Sequence, residues 1–99
     1  MTAGTLHIVA RLKARPEKVG ELRAVLLGLL APTRVESGCL RYQMFVNMED
    51  PTEFTFTEEW TDPASLDAHF ETAHIRGALE RFPELLAEEL DLRRNALVA

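Results

Sequence analysis

The sequence predicts an α+β domain whose elements follow the order β-α-β-β-α-β. Three observations support this fold class: an alternating apolar pattern at Leu6 to Lys13, a helical stripe after it, and a pair of strand-like segments before a second helical region. This order is typical of the split βαβ, or ferredoxin-like, arrangement, in which a four-stranded antiparallel sheet carries its helices on one face. The 99 residues have the size of one domain, residues 1–99.

The first strand and the first helix are marked by a change of apolar period. Between Leu6 and Lys13 alternate residues are apolar, so one face of a strand is apolar and the other is mostly polar. Apolar residues then recur at helical spacing: Val19, Leu22, Val25, Leu26, Leu29 and Leu30. The helix begins near Pro16 and is kinked or ended by Pro32. Its spacing continues to Ser37, where Gly38 provides a C-terminal stop.

Two further strands are predicted to form an antiparallel hairpin. The first covers Cys39 to Asn47, and the second covers Glu53 to Trp60, which is rich in the strand-forming residues Phe and Thr. The residues between them, Glu49 to Thr52, include an Asp-Pro pair and have the composition of a turn. Because so few residues separate the two strands, we expect them to lie side by side and run in opposite directions.

A capped helix is predicted after the third strand. Asp62 is a suitable N-cap, and Pro63 suits the first helical position, where its missing N–H has no cost. The helix extends to about Thr72. A break near Ala73 then separates it from a further short helix at His74 to Phe82.

The C-terminal tail completes the predicted sheet. Pro83 interrupts the preceding helix, and Leu85 and Leu86 are expected to pack on the core. From Glu88 to Val98 leucines alternate with polar residues, which favours a fourth strand. Helices on one face leave the other face of the sheet open. Because both faces carry some apolar residues, we expect a homodimer that forms through the open sheet face.

Composition and charge argue against several classes of function. The net charge of −5, without a basic patch, argues against nucleic acid and membranes as partners, and no apolar run approaches the roughly 18 residues of a membrane span. With Cys39 as the only cysteine and no visible secretory signal, a cytoplasmic location is the simplest interpretation. No Gly-rich phosphate loop is present, and the three histidines lack the spacing of a metal motif. Neither a cofactor nor a metal is therefore predicted.

His69 is the leading candidate for chemistry, because it shares a helix face with apolar residues. Leu66, His69, Phe70 and Ala73 fall at i, i+3, i+4 and i+7. With an ordinary pKa of about 6.5, such a histidine can act as a general base at neutral pH; alternatively, it is a core histidine bonded to a backbone carbonyl. His74 lies about 140° away on a continuous helix and converges with His69 only if the helix breaks; otherwise it caps the helix end.

Further candidates lie on the predicted strands. His7 and Arg11 share one face of the first strand, where they either face a pocket or lie near water. Glu58 has the parity of Trp60 and is expected to point inward, where Arg11 or a histidine would serve as its partner. Trp60 would form a wall between sheet and helix, and Tyr42 either bonds a substrate oxygen or fills the core. An apolar pocket for a flat aromatic ligand would include Phe56 and Phe70.

Three segments form a longer motif: Gly38-Cys39-Leu40-Arg41-Tyr42, then Pro51-x-x-Phe54, then Glu58-x-Trp60-x-Asp62-x-x-x-Leu66-x-x-His69-x-x-Thr72-x-His74. This motif resembles the antibiotic biosynthesis monooxygenase domain family, which includes cofactor-free quinol monooxygenases and polyketide-ring oxygenases. The resemblance extends from about Leu6 to Leu97 and is more specific for the fold than for the reaction. It implies ferredoxin-like protomers that pack sheet to sheet as a dimeric α/β barrel, with a site between each sheet and its helices.

The resemblance also implies an enzyme, a cofactor-independent monooxygenase that oxidises a hydroquinone or a polycyclic phenol with O2. In such a reaction His69 would remove the substrate proton, while donors such as Tyr42, Arg11 or His74 would stabilise the developing charge. The substrate-binding residues would be His7, Arg11, Phe56, Glu58, Trp60 and Phe70. Two alternatives remain open: an isomerase of the same family that acts on a small enolisable substrate, and a non-catalytic dimeric ligand-binding domain.

Overall fold

The sheet has the strand order expected for the ferredoxin-like arrangement, and a computed structural model describes it over residues 5–99. The elements are β1 (Leu6–Lys13), α1 (Val19–Leu27), α2 (Leu30–Arg34), β2 (Cys39–Asn47), β3 (Asp50–Trp60), α3 (Pro63–Phe70), α4 (Ala73–Leu85) and β4 (Asp91–Asn95), with one 3₁₀ turn at Pro16–Lys18. The strands lie in the order β2-β3-β1-β4, and every neighbouring pair is antiparallel. The predicted fold class is confirmed.

Several element boundaries differ from the prediction, and β4, for example, covers only Asp91–Asn95 of the predicted Glu88 to Val98. The first helix is divided into α1 and α2 around Gly28, and it ends at Arg34 instead of Ser37. The third strand begins at Asp50, so that only Met48 and Glu49 form the turn. Pro83 does not interrupt α4, which continues to Leu85.

The end of α4 is stabilised from outside the helix. The backbone N–H of Arg15 donates to the carbonyl of Leu85 at 2.9 Å, and the Arg15 guanidinium donates to the carbonyl of Pro83 at 3.1 Å. These bonds satisfy carbonyls that a helix end leaves free. They help explain why the helix tolerates a proline in its last turn.

The core lies between the helices and one face of the sheet. On β1 the buried residues are Ile8, Ala10 and Leu12, as the alternation predicts. On β3 they are Phe54, Phe56, Glu58 and Trp60. Glu58 is therefore a carboxyl group placed at a core position. The helices cover this face with Leu22, Leu26, Leu66, Ile75, Ala78 and Leu85.

Within residues 5–99, no helix covers the opposite face of the sheet. Its central strands present threonines and paired charges, among them Arg11 with Glu53 at 2.8 Å and Arg41 with Glu59 at 3.1 Å. Phe45 is a large apolar residue on this face, and it is 49% exposed. The face is thus more polar than the sequence alone suggested. Within residues 5–99, no helix is long and apolar enough to cross a membrane.

Gly38 packs the turn that follows α2 against the start of α3. Its φ is +86°, and a Cβ built on it would lie 2.2 Å from the Oγ of Ser65 and 2.6 Å from the Ser65 Cβ. The carbonyl of Gly38 also accepts a hydrogen bond from the N–H of Thr61 at 2.9 Å. The absence of a side chain therefore lets this turn dock directly against the first turn of α3.

We expect Gly38→Ala to lower the free energy of unfolding by more than about 2 kcal/mol, because it combines a left-handed backbone with overpacking. Urea unfolding followed by circular dichroism measures the change. The control is Gly20→Ala in α1, where the added methyl meets nothing within 4 Å. That substitution should stabilise the protein by up to about 1 kcal/mol. Equal unfolding midpoints for Gly38→Ala and the wild type would contradict this account of the turn.

Candidate functional site

A pocket opens between the helix-facing side of the sheet and the helices. Its cavity volume is only about 40 Å³, and the cavity is partly open to solvent. Most of its lining is apolar and comes from β1, β3, β4, α1 and α4, whereas Tyr42, Glu58 and His69 supply the polar atoms. An apolar cleft with a few convergent polar groups is typical of a ligand-binding site.

His69 reaches this pocket because α3 begins with a strong cap. The carboxylate of Asp62 accepts the N–H of Ser65 at 2.8 Å, and Pro63 occupies the first turn as predicted. Leu66 and His69 then form the buried face of α3. The imidazole is only 3% exposed, and its ring lies among aromatic rings whose centroids are 4.8 Å (Trp60), 5.5 Å (Phe70) and 5.7 Å (Tyr42) away.

The two nitrogens of His69 have different environments. Nδ1 lies 2.8 Å from the carboxylate oxygen Oε2 of Glu36. Because a carboxylate only accepts hydrogen bonds, Nδ1 carries the proton and donates it, which leaves the lone pair on Nε2. Within residues 5–99, no group hydrogen-bonds to Nε2. Burial lowers the pKa of His69 below its ordinary value, against the opposing effect of Glu36. His69 is therefore a neutral base at neutral pH.

His74 joins the same carboxylate from the next helix. The chain leaves α3 at Glu71, and Thr72 caps α4, so the two histidines are not on one continuous helix. This break brings Nε2 of His74 to 2.7 Å from Oε2 of Glu36, with the two imidazole centroids 6.0 Å apart. The sequence predicted that His69 and His74 converge only if the helix breaks between them, and both the break and the convergence are present. Glu36, His69 and His74 form the cluster that we call the carboxylate–histidine cluster.

Glu36 is the member of this cluster that sequence reasoning missed. It lies in the turn between α2 and β2, where the sequence predicted the end of a helix. Gly38 places this turn against Ser65, and His69 follows Ser65 by four residues on the same helix face. The carboxylate is therefore held one helical turn from that contact, beside the imidazole. Its only sequence signal was an acidic residue two positions before the glycine stop, which is too common to identify a partner.

Glu58 points inward as predicted, but its partner is different. Its Oε1 accepts the indole N–H of Trp60 at 2.9 Å, and it is neither paired with Arg11 nor bonded to a histidine. Burial raises the pKa of Glu58 to about 7, although the hydrogen bond from Trp60 opposes the shift. The carboxyl group thus exchanges its proton near neutral pH at the wall of the pocket.

Three of the predicted aromatic residues line the pocket with His69: Tyr42, Phe56 and Phe70. Tyr42 is buried, and burial raises the pKa of its hydroxyl further above the ordinary range, so it remains a neutral phenol. Trp60, predicted to bind the substrate, does not line the pocket; it lies behind His69 and Glu58, contacts both side chains and is fully buried.

His7 and Arg11 are not part of this site, contrary to the expectation that they contact the substrate. They alternate with the buried residues of β1 and therefore project from the open face of the sheet. There Nδ1 of His7 lies 3.5 Å from Glu59, and Arg11 pairs with Glu53. The sheet itself separates them from the pocket.

The carboxylate–histidine cluster also has the composition of a metal site. One ligand atom from each of Glu36, His69 and His74 lies within 4.8 Å of the other two. The sequence showed no metal-binding spacing among the histidines and left a metal site possible only by convergence of separate elements. The turn that carries Glu36 and the break before α4 supply a proximity that no local spacing encodes.

Comparison with known proteins gives a consistent family assignment. A family model described as antibiotic biosynthesis monooxygenase matches residues 5–81. The chain is 34% identical over 88 residues to the Bacillus subtilis protein named "Putative monooxygenase YcnE", covering 89% of this chain and 93% of that protein. It is 30% identical over 86 residues to the uncharacterized Synechocystis protein sll1783, covering 87% of this chain but only 58% of that relative's length.

The fold of the chain is also similar to that of solved structures. The crystal structure of PA3566 from Pseudomonas aeruginosa superposes with a TM-score of 0.93 and 28% sequence identity, covering 100% of this chain and 99% of that one. The ferredoxin-like architecture is thus shared along the whole described chain.

Proposed function

The chain belongs to the antibiotic biosynthesis monooxygenase family, and we propose that it is a cofactor-independent monooxygenase that oxidises a hydroquinone or a polycyclic phenol with O2. One observation carries the proposal: a neutral imidazole, His69, lines an apolar pocket with its Nδ1 proton bound to Glu36. This arrangement leaves Nε2 as the basic nitrogen. A carboxylate that fixes the tautomer of a basic imidazole is a recurrent device of general-base catalysis.

The proposed chemistry begins with a proton transfer. His69 removes a proton from a hydroxyl of the substrate, and the resulting phenolate is electron-rich enough to reduce O2 directly. The overall step balances without another reductant: a hydroquinone and one O2 give a hydroxyquinone and one water. The substrate supplies the electrons, so the protein's task is to bind the ring, take the proton and keep water out.

The remaining polar groups of the pocket fit supporting roles. Tyr42 stays protonated and can donate a hydrogen bond to a developing oxyanion. Glu58 exchanges its proton near pH 7 and can return one to the leaving oxygen. Phe56 and Phe70 provide flat apolar walls for a ring.

A second candidate function is favoured by the narrowness of the pocket. A ring-sized substrate requires side chains at the mouth to move, whereas a small enolisable molecule needs less space. The same base could then isomerise such a molecule by moving a proton between carbon and oxygen, with no O2 consumed.

We also propose that the open face of the sheet packs against a second copy of the chain. Cations and carboxylates alternate on it, so the Arg11 and Arg41 of one copy can meet Glu53 and Glu59 of the other. Light scattering is then expected to give twice the 11.2 kDa mass of the chain. Phe45→Asp should give the single-chain mass, whereas Val35→Asp, at an exposed position outside the sheet, should not. A wild-type mass of one chain would contradict the proposal.

The experiment that tests the enzymatic proposal is oxygen uptake by metal-stripped protein. Hydroquinones and naphthol-type phenols are supplied as substrates, and heat-denatured protein corrects for spontaneous oxidation. Uptake of one O2 per substrate without hydrogen peroxide supports a monooxygenase, whereas peroxide at one equivalent indicates a simple oxidase. Absence of enzyme-dependent uptake with every substrate would reject the oxygenase proposal and favour the isomerase.

A further inference from the structure

We propose that Glu36, His69 and His74 form a binding site for a divalent transition-metal ion, and that a bound ion prevents His69 from acting as a base. The second half of this inference rests on the proposed function, whereas the first half does not. Two imidazole nitrogens and one carboxylate oxygen already converge within 4.8 Å. This ligand set is used for Zn²⁺ and for non-haem Fe²⁺ in proteins, whereas Ca²⁺ and Mg²⁺ prefer oxygen ligands.

The two carboxylate–imidazole distances require only a small adjustment for an ion to enter, whereas the two imidazole nitrogens, which lie within 4.8 Å of each other, must approach to about 3.3 Å. Oε2 of Glu36 now lies 2.8 Å from Nδ1 of His69 and 2.7 Å from Nε2 of His74, as hydrogen bonds. Around a tetrahedral Zn²⁺ with bonds of about 2.0–2.1 Å, neighbouring ligand atoms lie about 3.3 Å apart. The carboxylate must therefore withdraw by about half an ångström. Glu36 is on a turn, and the terminal torsion of a glutamate is soft, so this movement is accessible.

The burial of the three ligands suits an exchangeable ion. His69 is held firmly in the core by its aromatic neighbours, which fixes one ligand before metal arrives. The side chains of Glu36 and His74 are 14% and 21% exposed, so they form the side from which an ion and a water ligand can enter. Three protein ligands leave a fourth tetrahedral position open.

Metal binding changes the tautomer of His69. In the metal-free state Nδ1 holds the proton and donates it to Glu36, so Nε2 has the lone pair. An ion bound to Nδ1 needs that lone pair there, and the proton of the neutral ring must then reside on Nε2. No proton is lost in this exchange, but the nitrogen that served as a base becomes a donor. A bound ion and deprotonation of the substrate by His69 therefore cannot occur at the same time.

Isothermal titration of the metal-free protein with Zn²⁺ tests the site without any substrate. We expect one ion per chain, and we expect Glu36→Gln and His74→Ala each to weaken binding tenfold or more. Controls are His7→Ala and Cys39→Ser, which remove the other imidazole and the thiol of the chain and should leave the affinity unchanged. Binding that is absent from the wild type, or unaffected by Glu36→Gln and His74→Ala, would overturn the site.

The tautomer is measured separately by nitrogen-15 NMR of the imidazoles. We expect the proton of His69 to move from Nδ1 to Nε2 as Zn²⁺ is added, and enzyme-dependent oxygen uptake to fall in proportion to occupancy. If Zn²⁺ binds and the NMR shift occurs but no substrate is oxidised even without metal, the site stands and the oxygenase proposal fails. If the metal binds at the cluster while oxygen uptake is unchanged, the exclusion of base by metal is overturned.

Discussion

His69→Ala is expected to lower the enzyme-dependent rate of oxygen uptake by about 10²- to 10⁴-fold, the usual contribution of a general base. The side chain is the one neutral base that lines the pocket with a nitrogen free of hydrogen-bond partners among residues 5–99. Truncation leaves a cavity among the rings of Trp60, Tyr42 and Phe70, so some stability is lost. The circular dichroism spectrum of the fold should nevertheless be retained.

A second variant separates loss of the base from loss of packing. His69→Asn keeps a side-chain N–H that can donate toward Glu36, but it has no basic nitrogen for the substrate. We expect it to fold better than His69→Ala and to be equally inactive. Either variant with a rate near that of the wild type would show that His69 is not the base.

The pH dependence of kcat/KM gives an independent check on His69. Burial lowers its folded-state pKa below about 6.5. The rate should therefore rise with pH through a limb that lies below 6.5 and fall again near pH 7, where Glu58 loses the proton that it is proposed to return. A rising limb centred well above 6.5 would assign the base to another group.

Much of the fold was predictable because its signals are local. The bounds of β1 and β2 agree with the sequence prediction, since alternation and turn residues mark both ends of each strand. Asp62 and Pro63 fixed the start of α3 for the same reason. The prediction that Pro83 interrupts the helix was wrong, because the hydrogen bonds that stabilise this turn come from Arg15, which is far away in sequence.

The site was predictable only in part, because its decisive contact is long-range. His69 could be found from its helix face, but Glu36 lies 33 residues earlier and is positioned by a turn that docks through Gly38. The placement of His7 and Arg11 was available from the sequence. Both residues alternate with the apolar residues of β1, so they lie on the face of the sheet opposite the helices and the pocket.

Glu58→Gln is expected to stabilise the protein at high pH. The folded-state pKa of Glu58 is about 7, against 4.5 for an ordinary glutamate, because its carboxyl is buried. Between these values the folded state holds a proton that the unfolded state has lost, so the free energy of unfolding falls as pH rises and levels off above 7. A shift of this size corresponds to about 3 kcal/mol. The amide of Gln has no charge to desolvate and can still accept the indole N–H of Trp60.

Urea unfolding at pH 4.5 and pH 8 measures this difference. We expect Glu58→Gln to exceed the wild type by about 2–3 kcal/mol at pH 8 and by less than about 1 kcal/mol at pH 4.5. The control is Glu80→Gln, at an exposed position of α4, which should change stability by less than about 1 kcal/mol at either pH. An equal effect of Glu58→Gln at both pH values would show that the pKa of Glu58 is not raised in the folded state.

The same variant connects stability with function. A carboxyl that destabilises the fold at neutral pH has no structural advantage over an amide of the same shape, since the bond to Trp60 survives the substitution. If Glu58 returns a proton to oxygen during the reaction, Glu58→Gln should be both more stable at pH 8 and at least tenfold slower in oxygen uptake. A stabilised variant with an unchanged rate would assign Glu58 no part in the chemistry and leave His69 and Tyr42 as the polar groups that act on the substrate.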